Sequence, residues 1–72
     1  MDIEEVRVKS VVWFSYWMGY YNIQAPEGVE FVEFTMALAN NFSKNWKGDE
    51  DNLIKDLDEY FNLVVVKKLA KL

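Results

Sequence analysis

The chain has 72 residues, 51% hydrophobic and 17% aromatic, with twelve acids against eight bases for a net charge of −4. It contains neither cysteine nor histidine, which excludes disulfides, thiolate zinc sites and every catalytic pair built on an imidazole or a thiol. The acidic balance also disfavours nucleic acid, because affinity for a phosphate backbone comes from neutralising it.

A chain of this length forms one domain at most, taken here as a single small helical domain over residues 1–72. A core of that size contributes only about 3–5 kcal/mol net. With disulfides and soft metal ligands absent, the remaining sources of stability are a strongly aromatic core or association with another chain. The chain opens at Met1, and Asp2, Glu4 and Glu5 stand where a signal peptide would carry bases. A complete small cytoplasmic gene product is therefore expected, and the lack of cysteine fits a reducing compartment.

Residues 3–23 are predicted to form the first helix. Asp2 and Glu5 have capping-box spacing, and Glu4 and Glu5 favour the positive end of the helix dipole. Within it, residues 11–23 (VVWFSYWMGYYNI) pass without a charge and hold six aromatics. The run is too short to span a bilayer, which takes about 20 residues as helix. At 100° per residue, Ile3, Val6, Ser10, Trp13, Phe14, Trp17, Tyr20 and Tyr21 share one broad face. Val12, Tyr16 and Ile23 lie away from it, so one neighbouring helix cannot cover the girth. The rival is a strand, since Val6 to Lys9 alternates and β-branched and aromatic residues dominate as far as Tyr21. That alternative makes the fold α+β. The alternation fails at residues 11–14, and eighteen residues is long for a strand.

The second helix is predicted over residues 27–46. Pro26 pushes Ala25 out of helical geometry and can open the helix. Glu27, Glu30 and Glu33 load its first turns, and Phe31, Phe34, Thr35, Leu38, Phe42 and Trp46 follow i, i+3, i+4 spacing with Val32 and Ala39 alongside. Gly48 is the expected C-terminal cap of that helix, and Asp49 or Asp51 the N-cap of the third, over residues 50–66. The third stripe is Leu53, Ile54, Leu57, Tyr60, Phe61, Val64 and Val65. Lys67, Lys68 and Lys71 fall on the same side, so the helix either leaves the core near Val66 or gives way to a short extended segment at residues 63–66. Three segments with short connections make an all-α, up-down-up bundle.

Sites for chemistry are absent or incomplete. Gly19, Gly28 and Gly48 are too scattered to cradle a phosphate. Counting a calcium loop from Asp49 puts Ile54 where glycine is needed and Tyr60 where glutamate is needed, so there is no EF-hand. No enzyme activity, cofactor or metal is expected. Glu27, Glu30 and Glu33 could join the acids of residues 49–59 as an acidic surface imitating DNA phosphates, although solubility charge biased toward helix N-termini accounts for them more simply.

An aromatic helix of this kind serves as core and, where it outgrows its neighbours, as interface. The expected interface comprises Val12, Tyr16, Gly19, Tyr20 and Ile23, with Ser15 and Gly19 as a small pair that permits close helix approach. A membrane-surface helix would carry a lysine-rich polar face, and only Arg7 and Lys9 lie nearby. The sequence thus points to a small acidic, non-enzymatic protein-interaction module. It is expected to self-associate as a homodimer and to act as a regulator, adaptor or inhibitor of a larger protein, of the kind phages and mobile elements carry. The rival is a small nucleic-acid-binding regulator presenting Lys44, Lys47, Lys67, Lys68 and Lys71, which strong salt dependence would reveal.

Overall fold

In a computed structural model, which describes residues 2–67, three helices carry the fold: α1 (Ile3–Tyr20), α2 (Phe31–Asn45) and α3 (Leu53–Phe61). A single 3-10 turn, Glu50–Asn52, leads into α3, and a π turn, Asn62–Val66, continues it. Among the described residues there is no strand, so both extended alternatives, at the N-terminus and at residues 63–66, are overturned. The valines that suggested extension are held by a wider turn in which the Lys67 amide donates to the Asn62 carbonyl at 2.8 Å.

The N-terminal cap forms as its spacing predicts, with the Glu5 amide donating to Asp2 Oδ1 at 2.8 Å. The third helical segment runs over residues 50–66 as expected, whereas other ends of the first two helices differ for identifiable reasons. The first helix stops at Tyr20 because Asn22 takes a left-handed conformation (φ 55°). The Ile23 amide then turns back to the Met18 carbonyl at 2.8 Å, a Schellman-type close. The second helix starts at Phe31, four residues late, because Pro26 to Val29 close a turn with Gly28 at φ 84°. Gly48 is not a left-handed cap: α2 leaves its last turn through Trp46 in extended geometry. Asp49 is the N-cap residue of the 3-10 turn that opens the third segment, as expected, but its side chain makes no capping bond, and neither does that of Asn52, the N-cap of α3.

Packing follows one rule in all three elements. The residues buried on α1 are Val6, Ser10, Phe14 and Met18; on α3 and its continuation, Leu53, Leu57, Phe61 and Val65; on α2, the paired rows Thr35, Ala39, Ser43 and Leu38, Phe42. Each is a row of four-residue steps, the ridge that interdigitates in the commonest helix packing. Along an α-helix such a step overshoots the 3.6-residue turn, so the row drifts around the helix. The π turn is wider, and it returns Val65 toward the line of Phe61.

Helix α1 lies mainly against α2, antiparallel to it, so that Ile3 and Val6 approach Ser43, Lys44 and Trp46. Small residues face this seam, and their hydroxyls bond to their own helices: Ser10 Oγ donates to the Val6 carbonyl at 2.6 Å and Thr35 Oγ1 to the Val32 carbonyl at 2.9 Å. Among the described residues no buried side-chain polar atom lacks a partner. The third helix joins through rings. Phe61 stacks on Phe14 at 6.2 Å and meets Trp13 edge-on at 5.6 Å, while Tyr60 meets Phe42 at 5.4 Å.

Candidate protein interface

Two seams hold α3, and they are built differently. Toward α2 it is clamped by hydrogen bonds. Trp46 Nε1 donates to Asp56 Oδ2 at 2.7 Å, and Asn41 Nδ2 donates to the Tyr60 hydroxyl at 2.8 Å. Gly48 lies over the first clamp, where an added Cβ would stand 2.9 Å from both Asp56 Oδ2 and Trp46 Nε1. That crowding, not backbone conformation, is why glycine belongs there. Burial raises the pKa of the Tyr60 hydroxyl, and the bond from Asn41 opposes the shift in part.

Toward α1 the seam is closed inside by the Phe61 contacts with Phe14 and Trp13 and open along its outer edge, where the cavities are larger than the ≈ 280 Å³ one on the α2 side. Two cavities of ≈ 420 Å³ and ≈ 400 Å³ share Tyr21, Asp58 and Phe61, and together they form a groove. Trp13, Trp17 and Tyr21 make one wall; Ile54, Phe61 and Val66 make the other. Asp58 borders both cavities and Lys55 borders the first. These two residues stand three apart, a spacing at which opposite charges can pair on a helix. Among the described residues, however, the one ion pair is Arg7–Glu4 on α1.

Val8, Val12, Tyr16 and Tyr20 form a second stripe of four-residue steps on α1, exposed by 51, 65, 63 and 67% respectively. The Tyr16 and Tyr20 rings meet Trp17 edge-on at 5.0 and 5.4 Å, so the stripe runs without a gap into the groove wall. Of the residues expected at an interface, Val12, Tyr16, Gly19 and Tyr20 are all exposed on α1. Ile23 is not part of this face, because the left-handed Asn22 turns it back against the core, where it lines the groove's far end.

The stripe and the groove include residues that periodicity assigned to the core. Tyr20, Tyr21 and Ile54 are exposed, whereas Met18 and Ser43, left out of the expected faces, are buried. The four-residue row supplies the missing signal, since Met18 and Ser43 each continue one. The groove itself has no local signature, because α1 and α3 meet across residues forty positions apart.

The acidic candidates are dispersed by the late start of α2. Glu27 lies in the preceding turn, Glu30 at the N-cap and Glu33 in the first helical turn, all exposed. Among the described residues no three acids gather in a way that could hold a metal, and no helix is long and apolar enough to cross a membrane. Of the lysine group, Lys44, Lys47 and Lys67 are exposed, whereas Lys68 and Lys71 lie outside the described residues. Set against known protein families, characterised proteins and solved structures, the chain matches none.

Proposed function

We propose that this is a non-catalytic protein-interaction module of the cytoplasm that self-associates through the outer face of α1 and regulates, links or inhibits a larger protein. The observation that carries the proposal is the exposed stripe Val8, Val12, Tyr16, Tyr20, which continues into an aromatic groove. A soluble monomer seldom leaves such a contiguous apolar surface uncovered. A tyrosine buries about 150–250 Å². Tyr16, Tyr20 and Tyr21, each more than half exposed, therefore offer roughly 250–500 Å², before the valines and the groove are added. That approaches the ~800 Å² per partner of a stable interface. Covering it in a dimer also adds the stabilisation that a small core without disulfides lacks.

Sedimentation over a range of concentrations tests this. Wild type should dimerise as concentration rises, and Tyr16→Glu should sediment as a folded monomer, since it would set an unpaired charge in a dry contact. A wild type that stays monomeric at the highest concentration, matched by an equally folded Tyr16→Glu, refutes it.

A further inference from the structure

Resting on the self-association proposed above, we infer that the two α1 helices pack antiparallel through Val8, Val12, Ser15 and Gly19, with each copy's valines seated on the partner's small residues. The four positions follow steps of four, three and four residues, the spacing of a coiled-coil seam. At 100° per residue they fall within about 60° of one another. Val8, Val12 and Gly19 are exposed and Ser15 is half-buried. The seam faces away from the row Val6, Ser10, Phe14 and Met18 that α1 buries in its own core, so a second helix can lie along it.

Bulk selects the direction. The larger residues, Val8 and Val12, occupy the N-terminal half of the seam, and Ser15 and Gly19 the C-terminal half. A parallel pair would set valine on valine and glycine on glycine, crowding one end and leaving the other empty. An antiparallel pair, with its two-fold axis level with the peptide between Trp13 and Phe14, sets Val12 against the partner's Ser15 and Val8 against the partner's Gly19. Every bulky residue then meets a small one. A Cβ at Gly19 would meet nothing within 4 Å, so the space over the glycine is open to a side chain from the second copy.

Charge selects the same direction. The charges of α1 all lie at or before Lys9, and residues 11–23 carry none. Parallel packing would set each charge beside its own copy, whereas antiparallel packing lays them along the partner's uncharged half. Lys9 and Tyr16 each follow a seam residue directly, Val8 and Ser15, so they flank the seam on one side. The two-fold axis keeps that flank together across the pair. It brings Lys9 within two residues of level with the partner's Tyr16, about 3 Å along the helix, where the ammonium meets an exposed aromatic ring.

A chain without cysteine lets introduced thiols report the register. Val8 and Gly19 are exposed, so Val8→Cys and Gly19→Cys should each fold, which circular dichroism would verify. A disulfide needs Cα atoms within about 7 Å. Positions 8 and 19 of different copies meet in the antiparallel seam, whereas two copies of position 8, or of position 19, stand about 16.5 Å apart along it. Mild oxidation of an equimolar mixture, at a concentration where wild type sediments as a dimer, should give about tenfold more cross-linked dimer than either variant alone. Exchange of bulk gives a second reading. Gly19→Val should raise the dissociation constant about tenfold or more by crowding the partner's Val8, and adding Val8→Ala to the same chain should recover most of the loss. Val8→Cys linking to itself, no excess in the mixture, or a Gly19→Val loss that Val8→Ala does not relieve overturns the seam, even where Tyr16→Glu shows that self-association stands. A wild type that never dimerises overturns both proposals.

Discussion

Helix α1 carries two rows of four-residue spacing, and they meet opposite fates. Val6, Ser10, Phe14 and Met18 are almost fully buried, while Val8, Val12, Tyr16 and Tyr20 are more than half exposed. Hydrophobicity does not separate them, since the buried row contains a serine and the exposed row two large rings. The helix has almost no amphipathic direction of its own. Its neighbours decide the inner face: Thr35, Ala39 and Ser43 on α2 are small and let a four-residue ridge seat closely. Ser10 is tolerated there because its hydroxyl bonds back to Val6. The outer row is left over after packing.

The largest expected effect separates the two rows directly. At a concentration low enough to keep the chain monomeric, Phe14→Ala should cost about 3–5 kcal/mol, close to the whole stability of a domain this small. Tyr16→Ala should change it by less than about 0.5 kcal/mol. Urea titration of the two variants measures the contrast. Similar losses from both would mean that α1 is turned the other way and that the exposed row is core.

How far each helix can be read from sequence follows from the same contrast. In α2 and α3 apolar residues concentrate on one side, so the spacing of Thr35, Leu38, Phe42, Leu53, Leu57 and Phe61 is enough to mark them as core, and all six are buried. In α1 periodicity finds Val6, Ser10 and Phe14 but adds Ile3, Tyr20 and Tyr21, which are exposed, and misses Met18. A helix that is apolar all round gives no phase until a partner selects one. The expected boundaries fail at residues whose conformation depends on more than their type. Asn22 adopts φ 55° where helix is expected, and Gly48 avoids a clash with a bond between residues ten apart.

That bond marks how α3 is held, and it carries the next effect in size. Gly48→Ala would drive a methyl group onto the Trp46–Asp56 clamp. Losing a hydrogen bond to a charged group costs about 1.5–3 kcal/mol, and alanine returns about 0.4–1 kcal/mol by restricting the unfolded chain. A net loss of about 1–2 kcal/mol is expected. Trp46→Phe removes the donor without adding bulk, so in that background Gly48→Ala should be nearly harmless. Additive losses in the double variant would show that the glycine serves another purpose.

Gly19→Ala works in the opposite direction on the open side. Alanine replaces glycine in an exposed helix without steric conflict, and dilute monomer should gain about 0.5–1 kcal/mol. Gly19 lies on the exposed face proposed to self-associate, so if the dimer closes at the glycine the same change should loosen it. Thermal melting at low concentration, paired with sedimentation at high concentration, reads the two effects separately. A gain in both would mean that the dimer does not close at Gly19.

The smallest effect should appear only in alkali, and it tests whether α3 is anchored through α2. Burial favours the neutral Tyr60 hydroxyl and raises its pKa above the ordinary value of 10.0, with the bond from Asn41 opposing in part. Below that ordinary value the hydroxyl is protonated in both folded and unfolded chains, and its contribution is fully present. As pH climbs past it the unfolded chain releases the proton first, so stability falls until the folded hydroxyl has titrated too. Wild type should therefore lose stability between pH 10 and higher pH more steeply than Tyr60→Phe, whose ring retains the contacts with Phe14 and Phe42 but has no proton to lose. Denaturant midpoints for the two proteins on either side of pH 10 give the comparison. Parallel decline would mean that Tyr60 titrates alike folded and unfolded, and that the α2–α3 seam is as open to water as the groove across from it.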